Sequence, residues 1–456
     1  MDEINKPIVK LFIYNDNKYV YDTSTNLLLQ VSQEHFNQIN LLIKLGINNY
    51  LKIHSSSKEY LDIVRLYKKG LFKPKLFENV ENYLTPYIKQ MIKSCINYLI
   101  LQVTQECNFK CRYCNFAIDN GIDRHHNSST MSWEIAKKSI DYLYKNSRDV
   151  SEINVAFYGG EPLMNYNLIK KVVNYCNNLF KSKIINYYMT TNASLLSKQR
   201  IQFLVKNKFR LSLSFDGPED IQNLHRSFLY TGDKTFNIVY ENLMFIKNNY
   251  YEYFKKYISI MAVIIRGENY EKVNNYFQKL GVNKNNIHIL DANLNGVDYY
   301  NYQNENTIFQ NNKNNYSLLE LIEKKKDFFE DKSIIKDIWH HSGTCIPAVR
   351  RLFVDINGYF YPCEKILLTN NLNIGNIYDG LNYEKIVEFS NIAKITNNDC
   401  RKCWAIRFCE ICVSQCNDIE KCQLTYDQKR ITCEFQRDSS LTFLKNVIKE
   451  SEERKQ

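Results

Sequence analysis

Three observations predict an α/β fold. Six strand-like runs alternate with amphipathic helices between about residues 97 and 291. The 14 cysteines fall mainly in two groups. Glycine is scarce, at 14 of 456 residues or about 3%, so a Gly-Gly pair at 159–160 is informative. A chain this long accommodates roughly three domains and a sizeable core.

Composition narrows the class. Hydrophobic residues make up 44% and charged residues 24%, which excludes a mostly disordered or collagen-like chain. No run of 18 apolar residues is present, so no membrane-spanning helix is expected. Met1 to Lys10 carries Asp2, Glu3, Lys6 and Lys10 and has no apolar signal core. The expected compartment is the cytoplasm, where thiols stay reduced, so clustered cysteines point to metal rather than disulfides. The net charge of +11 reads as basic residues on solvated faces. Without a module motif, neither it nor the 34 tyrosines and 25 phenylalanines argue for nucleic acid.

Residues 1–90 read as a small α/β domain. Ile8–Tyr14 and Tyr19–Thr23 are strand candidates joined by the turn Asn15-Asp16-Asn17, and Leu27–Val31 is a third. Ser32 caps a helix running to about Ile43, and a second helix from about Tyr60 stops at Gly70, with Pro74 beyond. Residues 95–292 form the alternating unit. Its strands are Tyr98–Val103, Ile153–Phe157, Ile185–Met189, Arg210–Phe215, Ile258–Ile264 and Ile287–Leu290. Its helices are Trp133–Lys145, capped by Ser132, then Leu168–Phe180, Lys198–Asn207, Phe236–Asn248 and Tyr270–Leu280. Such repeats predict a parallel sheet curled into a barrel or part of one, with its site at the carboxyl ends of the strands. A polar linker, 293–338, includes a solvated helix at Lys324–Asp331. Residues 339–438 are cysteine-dense with little regular pattern, so ligand bonds would have to hold them. Residues 439–456 complete a polar terminal helix or tail that begins near 438.

The first cysteine group is Cys107-Asn-Phe-Lys-Cys111-Arg-Tyr-Cys114, directly after the first strand of the alternating unit. Three local thiolates without an obvious fourth suit a [4Fe–4S] cluster with one iron open. The alternative is a zinc knuckle completed by His125 or His126. The CxxxCxxC loop resembles the signature of the radical S-adenosylmethionine (SAM) superfamily. That resemblance implies a partial (β/α)6 TIM-like barrel. It also implies that SAM chelates the open iron and is cleaved reductively to a 5′-deoxyadenosyl radical.

Further motifs follow in order. Tyr113 matches the aromatic residue near the adenine. Tyr158-Gly159-Gly160-Glu161-Pro162 resembles the family's GGEP, whose backbone and glutamate hold the SAM amino group. Asn192 ends the third strand; Ser214 and Asp216 lie at the end of the fourth. By resemblance they belong to the SAM site, with such Asn and Ser residues bonding its ribose and carboxylate, and Arg226 resembles an arginine pairing with that carboxylate. As isolated residues, Asn192 and Asp216 could equally be turn residues.

Nine cysteines occupy the 89 residues from Cys345 to Cys433. Cys345–x12–Gly358–x4–Cys363, then Cys400–x2–Cys403–x5–Cys409, resembles the SPASM domain of radical SAM enzymes, which carries two auxiliary [4Fe–4S] clusters. By resemblance, Cys345 and Cys363 plus a later cysteine hold the first; Cys400, Cys403, Cys409 and Cys433 hold the second. The family's next cysteine follows after three residues, whereas here Cys412 follows after two and Cys416 after six. The choice among Cys412, Cys416 and Cys422 stays open, as does an open iron on the first auxiliary cluster. Two zinc ribbons are the alternative. With eleven cysteines ionised on three clusters, the formal charge would fall to about +6.

Cys95 and Cys176 stand apart, Cys176 at the helical spacing of a core residue. His340-His341 reads as a surface pair, with a supporting role behind the metal ligands as the alternative. The whole resembles maturases of ribosomally made peptides, including those installing thioether links of the sactipeptide or ranthipeptide type. The implied partners are a precursor peptide with a leader and a one-electron reductant of flavodoxin or ferredoxin type. The leader would add to the sheet edge within Ile8–Val31, drawn by Lys68, Lys69, Lys73 and Lys75. The alternative for the first domain is a structural cap on the barrel. Other readings of the chain are an anaerobic sulfatase maturase, an enzyme forming carbon–carbon or ether links, and a non-catalytic iron–sulfur or zinc protein.

Overall fold

The computed structural model describes residues 5–74, 80–114, 126–265, 270–293, 296–301, 316–317 and 346–453, with backbone alone over 291–301 and 316–317. The expected linker helix at Lys324–Asp331, His340-His341 and Cys345 lie outside the described residues.

Three strands open the chain: β1 (Val9–Tyr14), β2 (Asn17–Asp22) and β3 (Leu27–Val31). They pair antiparallel in sequence order. Asn15 and Asp16 carry the β1–β2 turn with φ of 46° and 61°, the two positive angles that a two-residue turn of this hand needs. Ser32 accepts from His35 N at 3.2 Å and starts the helix Gln33–Leu45 as the sequence predicts; the second helix is Lys58–Lys68. Alternation gives the sheet two apolar faces. Val20, Leu29 and Val31 pack on Ile39, Leu42, Ile63 and Leu66 of the helices. Phe12, Tyr19, Tyr21 and Leu28 pack on Phe408, Leu444 and Ile448. The first unit therefore docks onto the cysteine-rich end of the chain. Thr23 Oγ1 donates to the Trp404 carbonyl at 2.9 Å, and Arg407 Nε donates to the Thr23 carbonyl at 2.7 Å.

Next come β4 (Tyr98–Thr104), β5 (Phe109–Cys111), β6 (Glu152–Gly159), β7 (Ile184–Thr191), β8 (Arg210–Ser214), β9 (Arg226–Phe228), β10 (Ile258–Ile265), β11 (Ile287–Asn293), β12 (Gly296–Asn301) and β13 (Tyr316–Ser317). The cysteine-rich region adds β14 (Leu352–Val354), β15 (Tyr359–Tyr361), β16 (Gly375–Asn376) and β17 (Gly380–Leu381). The main sheet runs β12-β11-β10-β8-β7-β6-β4-β14-β15-β16-β17. Its six parallel strands β4, β6, β7, β8, β10 and β11 are the six predicted runs, five of them extended by up to three residues and β8 one residue shorter. The intervening helices are Trp133–Lys145, Tyr166–Leu179, Lys198–Lys206, Phe236–Asn249 and Tyr270–Lys279, each within two residues of expectation. Among the described pairings none joins β11 to β4, so the barrel is partial.

Two features depart from the sequence reading. β14 pairs parallel with β4, so the cysteine-rich region continues the barrel sheet beside the strand that feeds Cys107. Three residues carry too little periodicity to announce such a strand. The terminal helix is Tyr426–Glu453, starting twelve residues before the predicted point. That stretch contains no Gly or Pro to stop it.

Candidate functional site

The loop after β4 carries the first cysteine group. Glu106 N donates to Thr104 Oγ1 at 3.0 Å and Phe109 N to Cys107 Sγ at 3.4 Å. β5 pairs antiparallel with β9 and sets Cys111 opposite Arg226. Burial pushes the thiols of Cys107 and Cys111 up, that of Cys111 to about 12; Cys111 and Cys114 raise Cys107 further, and Cys114 raises Cys111. Among the described residues no three His, Cys, Asp or Glu converge on a single ion. One loop delivers three thiols, with Cys107 within range of the other two, and this donor set fits a [4Fe–4S] group with one iron open. His126 Nε2 lies 3.4 Å from Cys114 Sγ while its Nδ1 lies 3.1 Å from the Gln105 carbonyl; His125 lies outside the described residues.

The Gly-Gly pair has a packing reason. A Cβ on Gly159 would stand 2.1 Å from the Thr104 carbonyl oxygen, and one on Gly160 would stand 2.3 Å from that of Glu106. The end of β6 thus lies directly on the backbone leading into Cys107, where only glycine fits. Glu161, fully buried, ties the end of β6 to the end of β7. Its Oε1 accepts from Leu163 N at 3.0 Å and Thr191 Oγ1 at 2.7 Å, and its Oε2 accepts from Asn192 N at 2.7 Å. Burial raises its pKa and these bonds oppose the rise.

Asn192 donates from Nδ2 to Asn108 Oδ1 at 2.9 Å, and its Oδ1 accepts from the Ser194 amide and hydroxyl. It is a turn residue and also a strut to the cysteine loop. Asp216 sits behind that loop, fully buried. It accepts from Tyr113 Oη at 2.5 Å, from Arg226 Nε and Nη2 at 2.8 and 2.9 Å, and from Val263 N at 2.9 Å. Burial works against the Arg226 charge, but Asp216 overrides it and holds the guanidinium pKa above its ordinary value. Arg226 Nη1 then reaches Cys111 Sγ at 3.9 Å, and the guanidinium lies 5.3 Å over the Tyr113 ring. Ser214 ends β8 beside these groups, paired with Met261. The structure thus gathers Cys107, Cys111, Cys114, Tyr113, Gly159, Gly160, Glu161, Asn192, Ser214, Asp216 and Arg226 at the carboxyl ends of neighbouring strands.

The later cysteines form two neighbourhoods. Cys363, raised to about 12 chiefly by burial, feels Cys412. Cys403, raised to about 11 by burial, feels Cys400 and Cys433; Cys409 feels Cys403 and Cys400. Cys416 lies between, within reach of Cys412, Cys433 and Cys400. Cys422 has φ of +51° and its Sγ lies 3.5 Å from the Ile419 carbonyl oxygen. Cys176 is fully buried in the core, as its spacing predicts. Sequence reasoning passed over Asn108 and Lys429, and weighed His126 only as a zinc ligand. Lys429 had a readable signal: it lies four residues before Cys433, on the same helix face.

Residues 101–280 match the Radical SAM superfamily. The chain is 25% identical over 433 residues to the radical SAM cyclopropyl synthase TigE of Paramaledivibacter caminithermalis, covering 84% of this chain and 83% of that protein. It is 26% identical over 366 residues to a cysteine-type anaerobic sulfatase-maturating enzyme of Clostridium perfringens, covering 71% and 90%. A match to the uncharacterized protein MJ0907 of Methanocaldococcus jannaschii is 36% identical but spans only 27% of this chain and 40% of that protein. The solved structure of native anSMEcpe with bound AdoMet shares the fold, with a TM-score of 0.53 at 23% identity, covering 77% of this chain and 99% of that one. Membership implies SAM and a [4Fe–4S] cluster as cofactors. Among the described residues no helix is long and apolar enough to cross a membrane. With a CxxxCxxC loop at the mouth of a partial barrel and a superfamily match over residues 101–280, from β4 through β10, the chain carries a radical SAM domain and is an enzyme.

Proposed function

We propose that the chain is a peptide maturase that installs crosslinks, thioethers from cysteine, in a ribosomally made precursor. The observation that carries this reading is the continuity of β14 with β4. It joins the cysteine-rich region to the strand that leads into the SAM-side loop, so that one peptide could meet both. When bound, SAM and a [4Fe–4S] cluster supply a carbon-centred radical able to take a hydrogen atom. The chain's residues do the rest. Cys107, Cys111 and Cys114 hold the first cluster. Tyr113, Gly159, Gly160, Glu161, Asn192, Ser214, Asp216 and Arg226 frame SAM. Cys345 and Cys363 serve one auxiliary cluster with a cysteine from among Cys412, Cys416 and Cys422, of which Cys412 is the one Cys363 feels; Cys400, Cys403, Cys409 and Cys433 serve the other. The division of the chain at 1–90, 95–292, 339–438 and 439–456, with 293–338 as linker, follows these roles.

Residues 1–90 bind the leader. β1 is the outer strand of its sheet, while the outer side of β3 is taken by β13. Tyr14 and Asn17 close a two-residue turn and exchange hydrogen bonds, so alternation turns the Ile13 N–H outward. Ile13 is 57% exposed. Ile13→Pro removes that donor and is expected to weaken binding of the genuine precursor about tenfold, with iron content full; unchanged affinity would exclude this edge.

The deciding experiment is anaerobic reconstitution with SAM, dithionite and a cysteine-bearing peptide encoded beside the gene, followed by mass spectrometry. About twelve irons per chain are expected. So are release of 5′-deoxyadenosine and loss of two hydrogens per crosslink, with the cysteine closed to alkylation. The sulfatase-maturating relative favours a second reading, selected by a product that has lost sulfur. The TigE match favours a carbon–carbon product, selected by two lost hydrogens with thiols still alkylated. A SAM-inert zinc protein would overturn all three.

A further inference from the structure

Lys429 is fully buried on the terminal helix, in the middle of the second cysteine neighbourhood. Its Nζ donates to Thr396 Oγ1, and to Cys400 Sγ at 3.4 Å. Thr396 Oγ1 itself lies 3.2 Å from Cys400 Sγ. Among the described residues Lys429 has no carboxylate partner; the nearby Asp399 accepts from Tyr426 Oη at 2.8 Å. The lysine charge also favours the thiolates of Cys409, Cys416 and Cys433. Lys429 and Cys433 stand four residues apart, so one helix turn delivers both the ammonium and a thiol to the same place.

A buried ammonium needs an anionic partner, and three donors need acceptors. A cubane on four thiolates carries net negative charge that grows by one on reduction. A nearby cation stabilises the reduced form more than the oxidised one. We propose that Lys429 is the counter-ion of the auxiliary cluster held by Cys400, Cys403, Cys409 and Cys433, and sets its reduction potential upward by charge and by an N–H···S hydrogen bond. This rests on the cluster assignment proposed above. Lys429 is a positioning and tuning residue; it touches a ligand sulfur and no substrate.

The test is an EPR-monitored redox titration of the full-length, iron-replete protein, comparing wild type with Lys429→Met and Lys429→Arg. Lys429→Met keeps length and removes charge. At fixed ambient potential it is expected to lower the reduced-to-oxidised ratio of one cluster at least about tenfold, a downward shift of about 59 mV for a one-electron couple. The other two clusters should not move, and Lys429→Arg should restore most of the shift. Full iron with every potential unchanged overturns the proposal. Equal loss of about four irons in both variants also overturns it, because the lysine would then only brace the cage. If the Cys400, Cys403 and Cys409 triple alanine variant retains all its iron, the cluster assignment itself fails, and the inference falls with it.

Discussion

The chain gathers cysteines at two places, and in each a buried cation faces a sulfur. At the barrel mouth, Arg226 reaches Cys111 at 3.9 Å but is already neutralised by Asp216, which also takes bonds from Tyr113 and Val263. At the far end, Lys429 reaches Cys400 at 3.4 Å with a threonine hydroxyl as its other partner. The first cation has a carboxylate partner. The second, among the described residues, has a hydroxyl and a thiol. The frames differ likewise: six parallel strands position the first, whereas short helical turns, strands of two or three residues and one face of the terminal helix frame the second. The barrel site is therefore preorganised, and the auxiliary region depends on its ligand bonds.

Metal removal should separate the two most sharply. In the Cys107, Cys111 and Cys114 triple alanine variant, 5′-deoxyadenosine release should fall to background and iron by about four per chain, with melting little changed. Stripping all iron from the wild type should instead expose backbone amides over 400–433 to rapid hydrogen exchange, while β4–β11 stay protected. Equal protection of both regions after chelation would erase the distinction.

The Asp216–Arg226 pair offers a second test. Asp216→Asn leaves a buried guanidinium without its carboxylate and should lower stability by about 3–5 kcal/mol, read as a fall in chemical-denaturation midpoint. It should also free the Tyr113 ring, seen as faster exchange at Val263 N, whose acceptor is Asp216 Oδ1. A change below about 1 kcal/mol would mean that solvent reaches the arginine and the network is not closed.

How much of this was legible follows from the same contrast. The six parallel strands, their helices and the Ser32 and Ser132 caps could be read because periodicity and capping chemistry are local. The Gly159-Gly160 pair stood out in a glycine-poor chain, yet its packing against Thr104 and Glu106 needed coordinates, since those partners are more than fifty residues away. β14, the β5–β9 pair and the docking of Tyr21 on Phe408 are long-range contacts of short segments, which no window detects. Lys429 was hidden for a different reason. A lysine in a helix reads as solvent-facing unless its spacing to Cys433 and the buried Ser440 and Leu444 is weighed.

The smallest effect concerns an acid in the auxiliary region. Asp355, 5% exposed, caps the β14–β15 turn by accepting at Oδ1 from Asn357 N at 2.9 Å and Tyr359 N at 2.8 Å. Burial outweighs these bonds and raises its pKa from 3.8 to about 6. An acid whose folded pKa is raised adds stability in its protonated form. That contribution is complete below about pH 4, declines as pH rises, and is gone above about pH 6. Asn keeps the Oδ1 acceptor and carries no charge, so Asp355→Asn should stabilise the chain by about 2 kcal/mol at pH 7.5. Its advantage should shrink by roughly 1.4 kcal/mol for each pH unit below 6. Denaturant midpoints of both proteins at pH 5 and 7.5 measure this. A pH-independent difference would mean that the turn tolerates a hydrated carboxylate, and that this part of the auxiliary region is as well framed as the barrel mouth.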